Sequence, residues 1–359
     1  MTDRGTVTKV VNTRKEADMM RVLIAALLVA LVGGPSPAMA QEITLKLHHF
    51  VPPVAPPHAT FLAPWAAKVE KESGGRIKIQ IYPSMQLGGT PPQLIDQIKD
   101  GVVDIGWTVA GYTAGRFPKT EVMEMPFLHT NALGTTLALQ DYQEKHLQDE
   151  YKDYHVLLLH VHGGALVHAN KPIVKLEDYK GMKIRTPNRG GSVFLRAVGA
   201  NPVGAPVPEV PQMLSKGVVD GALLPYEIAN PLKVHELVKQ HSEFAGPQPR
   251  IGTTVFVFAM NKKRYESLPA DLKKVIDANS RRRIAEMAGQ NWDNIEKPGK
   301  EAAQKAGNSF PVMPAAEVER VRAAVKPEID KFLKELSAGG FDANALYAEA
   351  QALIKKYTK

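Results

Sequence analysis

The chain has 359 residues, 44% of them hydrophobic, a formal net charge of +8 and no cysteine. That length and apolar content support a large core but exceed what one compact unit usually holds, so a soluble α/β protein with two lobes is expected. The missing cysteine excludes thiolate catalysis, disulfides and Cys-built zinc or iron–sulfur sites. Basic residues are spread along the chain; only Arg281-Arg282-Arg283 cluster, in a helical stretch, and they read as a solvated face, not a nucleic-acid patch.

In chain order, Val22–Val32 is a short apolar run with Arg14, Lys15 and Arg21 before it and Pro35 to Ala40, ending Ala-Met-Ala, after it. These are the parts of a secretory signal peptide, too short to span a bilayer as a finished helix, so residues 1–40 are expected to direct export and be cleaved. A short anchor or a buried helix is the competing reading, and Met19 or Met20 would make a more ordinary start than Met1. Residues 1–40 carry five basic and three acidic side chains, so the mature chain keeps +8 less 2, or +6, a field that favours anionic solutes.

Ile43 to Phe50 alternates like a strand and runs into a proline-rich turn, Val51 to Pro57. A helix is expected over Phe61–Glu72, closed by Gly74-Gly75, then a strand over Arg76–Tyr82, where alternation is strict. Leu94, Ile95 and Ile98 mark a helix face ending at Gly101, and Val102–Trp107 reads as a buried strand. The layout recurs about 116 residues on: strand Met182–Arg185, helix Val210–Lys216, then Gly217-Val218-Val219-Asp220-Gly221 echoing Gly101-Val102-Val103-Asp104. Two similar α/β units with helical crossovers and parallel strands are expected. Thr253–Asn261 is apolar enough for a central strand re-entering an earlier sheet, and the rest is helical: Asp271–Asn294, Glu317–Leu336 and Ala343–Tyr357.

Arg185 ends a strand that Pro187 stops, at the carboxyl edge where open α/β sheets bind ligands. A planar guanidinium fork there suits a carboxylate; a surface arginine at a strand end fits the spacing equally well. His48, His49 and His58 have no spacing that brings three ligands to one face, so no metal is expected and hydrogen bonding is the reading for His49. No Gly-x-Ser-x-Gly, His-Glu-x-x-His or phosphate loop is present, so no catalytic residues and no cofactor are assigned; an exported hydrolase or lyase is the remote alternative.

Gly181-Met182-Lys183-Ile184-Arg185-Thr186-Pro187, Val198 to Val203, Pro208-Glu209-Val210 and Gly217 to Gly221 together resemble the central signature of the periplasmic solute-binding subunits of TRAP transporters. Gly74 to Ile77, Tyr82-Pro83, Gln86-Leu87-Gly88, Met125-Pro126-Phe127, Asn170 to Ile173, Asn261 and Leu268-Pro269 extend the match in order over nearly the whole mature chain. The resemblance implies a periplasmic two-lobed clamshell, lobe I over 41–162 with 250–290 and lobe II over 163–249 with 291–359. It implies a monomer that binds a small organic acid and delivers it to membrane permease subunits, and an arginine at the position of Arg185 pairing with the ligand carboxylate. Where sialic-acid binders of that family carry polar pocket residues, this chain aligns Val109, Ala165 and Leu223-Leu224-Pro225. Phe50, Trp107, Leu224 and Tyr226 are therefore expected to wall an apolar pocket suited to an aromatic or hydrophobic monocarboxylate. A C4-dicarboxylate or a 2-keto or 2-hydroxy acid is the alternative ligand, and ligand sensing the alternative role. Asn261, at the end of the central strand, is expected to position hinge or ligand, or else to form a turn.

Overall fold

The structure is a computed structural model that describes Met19 and residues 42–358 apart from Gln248. The expected signal segment, residues 1–40, lies outside the described residues but for Met19. Residues 43–359 form one compact unit, and among the described residues no helix is long and apolar enough to cross a membrane.

Among the described residues eleven strands make two sheets. The first holds β1 (Ile43–His49), β2 (Ile77–Tyr82), β3 (Ile105–Val109), β4 (Tyr154–Val161) and β10 (Val255–Asn261) in the order β2-β1-β3-β10-β4. The second holds β5 (Leu166–Ala169), β6 (Lys183–Thr186), β7 (Asn201–Gly204), β8 (Gly221–Leu224), β9 (Gln240–Phe244) and β11 (Val312–Met313) in the order β11-β9-β5-β8-β6-β7. Setting β11 aside, the sheets have the same pattern. Three strands pair in parallel (β2-β1-β3; β7-β6-β8), and the next two pair antiparallel (β10 and β4; β5 and β9). The antiparallel strand in each sheet arrives from the other lobe, so the sheets are mixed where parallel strands were expected. Side by side, residues 162–165 and 251–254 make the crossing, joined by Ala165 N–H to Gly252 O (2.7 Å) and Ile251 N–H to Ala165 O (3.0 Å).

The Gly-Val-Val-Asp echo is the device that ends a helix and locks the next strand. Helix α1 (Ala63–Glu72) precedes β2; α2 (Leu94–Asp100) ends on Gly101 at φ 75°, and Gly217 takes φ 65° after the short helix Val210–Ser215. Both are left-handed positions that glycine adopts without a Cβ penalty. Each aspartate then clamps the neighbouring strand: Lys46 N–H donates to Asp104 Oδ2 (2.7 Å) and Lys183 N–H to Asp220 Oδ2 (2.8 Å). Val102 and Val218 are exposed and lie in the loop, so the strand starts three residues later than Val102.

Two regions differ from the sequence pattern. The stretch from residue 128 to 181, unassigned by periodicity, contains β4, β5 and α3 (Ala132–His146), whose Asn131 cap accepts from Gly134 N–H at 2.7 Å. Histidines inside β4 and β5 break the apolar run that would mark buried strands. The single helix expected over 271–294 is instead α4 (Ala270–Ala278) and α5 (Arg282–Lys305). Arg281 takes φ 54° between them, and its N–H and Nε bond to the carbonyls of Leu157 and Val156 in β4, so tertiary contacts break the helix there.

Helix α5 runs along both sheets' territories: it packs on α3 and β4, and further on against Tyr226–Ala229. The following helices are α6 (Ala315–Ser337) and α7 (Ala343–Tyr357); α7 returns to pack on α3. At Gly299 an added Cβ would stand 2.1 Å from Tyr226 O and 2.6 Å from its carbonyl carbon, both backbone atoms that cannot swing away. Gly299→Ala is expected to destabilise by about 1–3 kcal/mol through overpacking, read as a lowered urea midpoint at unchanged slope.

Candidate ligand-binding site

A cavity lies between the sheets. Phe50, Trp107, Val109, Tyr112, Thr254 and Phe256 line it from the first sheet. Arg185, Val207, Leu223, Leu224, Pro225 and Glu227 line it from the second, with His162 and Ala165 at the crossing.

Arg185 is held by the local chain. β6 ends at Thr186 because Pro187 has no N–H to continue the ladder, and Asn188 then caps the next helix (Arg189–Ala197) by accepting from Gly191 N–H at 2.8 Å. The guanidinium is 1% exposed, with Nε donating to Ala205 O (2.8 Å) and Nη1 to Leu223 O (3.0 Å). Nη2 is buried and has no hydrogen-bond partner. Nη2 and one hydrogen of Nη1 therefore remain to meet a guest, beside the Tyr112 phenol, on the end of the fork away from Nε. Burial lowers the Arg185 pKa, and the nearby Tyr112 phenol opposes that shift. The Tyr112 hydroxyl also accepts from Val207 N–H at 2.9 Å, which joins the lobes at the cavity edge.

The opposite wall is aromatic. Phe50, Trp107 and Phe256 stack in sequence, with centroids 5.0 and 4.7 Å apart and interplanar angles of 15° and 7°. Trp107 Nε1–H donates to His160 Nε2 (2.9 Å), so the neutral His160 ring carries its proton on Nδ1, beside Val161 O at 3.3 Å. His162 accepts from Gly164 N–H at Nδ1 (2.9 Å), which leaves Nε2 as its N–H donor. Burial, with His129, His160 and two arginines nearby, holds the His162 pKa well below its ordinary value.

Behind Leu224 a directed relay fixes the backbone. Asn308 Nδ2 donates to His241 Nε2 (3.0 Å), His241 Nδ1–H to His168 Nδ1 (2.6 Å), and His168 Nε2–H to Leu224 O (3.1 Å). Each step follows from the last, because a carbonyl only accepts. Beside it, Glu227 is 3% exposed and burial raises its pKa well above the carboxylate range; the Glu296 carboxyl, which it contacts, adds to the shift.

Of the residues expected from sequence, Arg185, Phe50, Trp107 and Leu224 meet at this cavity. The apolar departures Val109, Ala165 and Leu223–Pro225 line it as well. His49 sits outside the lining, bonded through Nε2 to His58 Nδ1 (2.8 Å), while His48 turns to Gln97 (2.9 Å). The Tyr226 ring points into the second lobe, with its hydroxyl on Glu243 at 3.1 Å. Asn261 caps two helices, donating to Ile98 O (2.8 Å) and accepting from Arg264 N–H (2.8 Å). It lies at the far edge of the sheet because β10 runs antiparallel to β3, so β10 meets the cavity at its first residues. Arg189 is paired with Glu121 (3.0 Å) and Glu335, away from the cavity. Among the polar lining groups absent from the sequence expectation are Tyr112, His162 and Glu227. Each lies within three residues of a departure it had marked: Val109, Ala165 and Leu224-Pro225.

Two α/β lobes of matching topology, crossed by paired strands and enclosing a mainly apolar cavity with one buried guanidinium, define a two-lobed clamshell binding protein. Residues 47–336 match the family model described as bacterial extracellular solute-binding protein, family 7, and the chain belongs to that family. Its members are solute-binding proteins, not enzymes. Among solved structures, the chain is 44% identical to a marine metagenome TRAP solute-binding protein described as specific for aromatic acid ligands and crystallised with 3-hydroxybenzoate; the TM-score is 0.87, covering 89% of this chain and 100% of that one. It is also 44% identical to a TRAP solute-binding protein from Rhodoferax ferrireducens with copurified benzoate, at a TM-score of 0.86 over 88% of this chain and 98% of that one. The outer membrane transporter protein TsaT of Comamonas testosteroni is 27% identical over 89% of this chain and 93% of its own length.

Proposed function

We propose that the mature chain captures an aromatic or hydrophobic monocarboxylate outside the cytoplasm and delivers it to the permease subunits of a TRAP transporter. The observation that carries this reading is the buried, partnerless Nη2 of Arg185 in a cavity whose other walls are mainly apolar and aromatic. Among the described lining residues Arg185 is the only Lys or Arg, so a second carboxylate has no cation to meet and a C4-dicarboxylate fits poorly. The aromatic acids bound by the two 44%-identical proteins support the same class.

In this reading residues 1–40 are a cleaved signal peptide and the mature protein works in the periplasm as a monomer. Lobe I comprises residues 41–162 with 250–290, and lobe II comprises 163–249 with 291–359, helix α5 lying along both. Arg185 takes the carboxylate, and Phe50 and Trp107 cover the ring from the other lobe. Only a ligand that touches both lobes favours the closed form, because an equal affinity for both forms shifts nothing. His49, Tyr226 and Asn261 act as packing and capping groups behind the site.

A thermal-shift series on the mature protein tests the class of ligand. Benzoate, hydroxybenzoates and mandelate are expected to raise Tm by several degrees at millimolar concentration, as tight binding does by mass action. Stabilisation by succinate or malate with none by aromatic acids would reject the reading.

A further inference from the structure

The cavity holds a second partnerless polar atom. Glu227 lines the wall, and its Oε2 is buried with no hydrogen-bond partner. The carboxyl also meets that of Glu296. Two touching carboxyls share a proton, and the neighbours decide which of them carries it. Glu296 accepts from the backbone N–H groups of Glu227 (3.0 Å) and Tyr226 (3.3 Å) and has Arg250 Nη2 at 3.9 Å. Among the described residues no cation pairs with Glu227. The proton therefore stays on Glu227, and the oxygen of that carboxyl without a hydrogen can only accept.

Resting on the aromatic-acid reading above, we propose that Glu227 determines specificity by accepting, at Oε2, a hydrogen bond from a hydroxyl carried on the body of the bound acid. Arg185 offers an orphan donor and Glu227 an orphan acceptor in one cavity. Their complement is a molecule with a carboxylate and, apart from it, an O–H or N–H group. A neutral carboxyl also satisfies this role without repelling the bound anion. An ether oxygen or a second carboxylate would bring lone pairs against Oε2 and is disfavoured.

Calorimetric titration of the mature protein with benzoate, the three hydroxybenzoates and their methyl ethers tests this. The best hydroxybenzoate isomer is expected to bind about tenfold or more tighter than benzoate, and its methyl ether to lose that gain. Glu227→Gln keeps the preference, because a carboxamide can donate to Glu296 while presenting its oxygen to the cavity. Glu227→Leu brings the ratio of hydroxybenzoate to benzoate affinity close to one, and Glu227→Met replaces it if the leucine variant does not fold. A preference that survives Glu227→Leu or Glu227→Met, a methyl ether as tight as the hydroxyl, or a wild type that does not distinguish any isomer from benzoate overturns the proposal alone. Failure of the wild type to bind any of these acids overturns the aromatic-acid reading and the proposal with it.

Discussion

Arg185→Met is expected to weaken binding of the cognate acid by about 30-fold to several thousand-fold, the equivalent of the 2–5 kcal/mol lost when one member of a buried charge pair is removed. Arg185→Lys keeps the charge yet is expected to lose most of the same affinity. Lysine cannot donate to Ala205 O and Leu223 O while also presenting a two-nitrogen edge to the guest. Unfolding of the ligand-free protein distinguishes this role from a structural one. Replacing a buried guanidinium that has no charged hydrogen-bond partner removes two carbonyl contacts but also relieves a desolvated charge. The ligand-free Tm should therefore move little while the ligand-induced rise in Tm disappears. Calorimetry and thermal unfolding on the same samples give both quantities. Affinity within threefold of wild type for Arg185→Met would mean that the acid group is held elsewhere.

Stability should be greatest near neutral pH and fall steeply on the acid side. Burial holds His49, His160 and His168 at about 3 and His129, His155 and His241 at about 4, with His162 well below its ordinary value. In the unfolded chain these rings titrate near 6.5, so below that pH the unfolded state takes up protons that the folded state refuses. The stability associated with the neutral rings is thus complete above about pH 6.5 and is lost as pH falls toward 4, at up to about 1.4 kcal/mol per pH unit for each ring. The relay behind Leu224 fails lower, as pH approaches about 3, since a protonated His168 would turn an N–H on the N–H of His241.

Buried carboxyls, among them Glu124, Glu150 and Glu227, act in the opposite direction. Burial raises Glu124 to about 8 and Glu150 to about 7. Their folded values lie above the unfolded one, so their contribution is complete below about pH 4.5 and is lost as pH rises through 7 to 8. Urea unfolding between pH 4 and 9 should show a maximum near pH 6.5 and a steep acid limb. A Tm flat from pH 7 to 4.5 would contradict the neutral buried histidines.

Much of the site was legible before any coordinate. Pro187 after Arg185 marks a strand end, and Val109, Ala165 and Leu223-Leu224-Pro225 are conspicuous as apolar residues where sialic-acid binders have polar ones. All of them line the cavity. Tyr112, His162 and Glu227 were not legible, because an isolated tyrosine, histidine or glutamate carries no periodic or spacing signal. Their roles depend on Val207, Gly164 and Glu296, and the first and last of these partners are distant in sequence. Asn261 was misplaced for a different reason. Its strand is apolar and central whichever way it runs, and only pairing with β3 and β4 reveals that it is antiparallel.

By itself the sequence determined the duplicated α/β layout, the glycine-ended helices, the aspartate clamps' positions and the arginine at a strand end, because these depend on neighbours a few residues away: periodicity, left-handed glycine and a proline that stops pairing. The tertiary structure alone decided which strands run backwards, where the long helix breaks at Arg281, and which polar atoms stay without partners inside the cavity. Those outcomes depend on burial and on hydrogen bonds between segments far apart in the chain, and no local pattern encodes them.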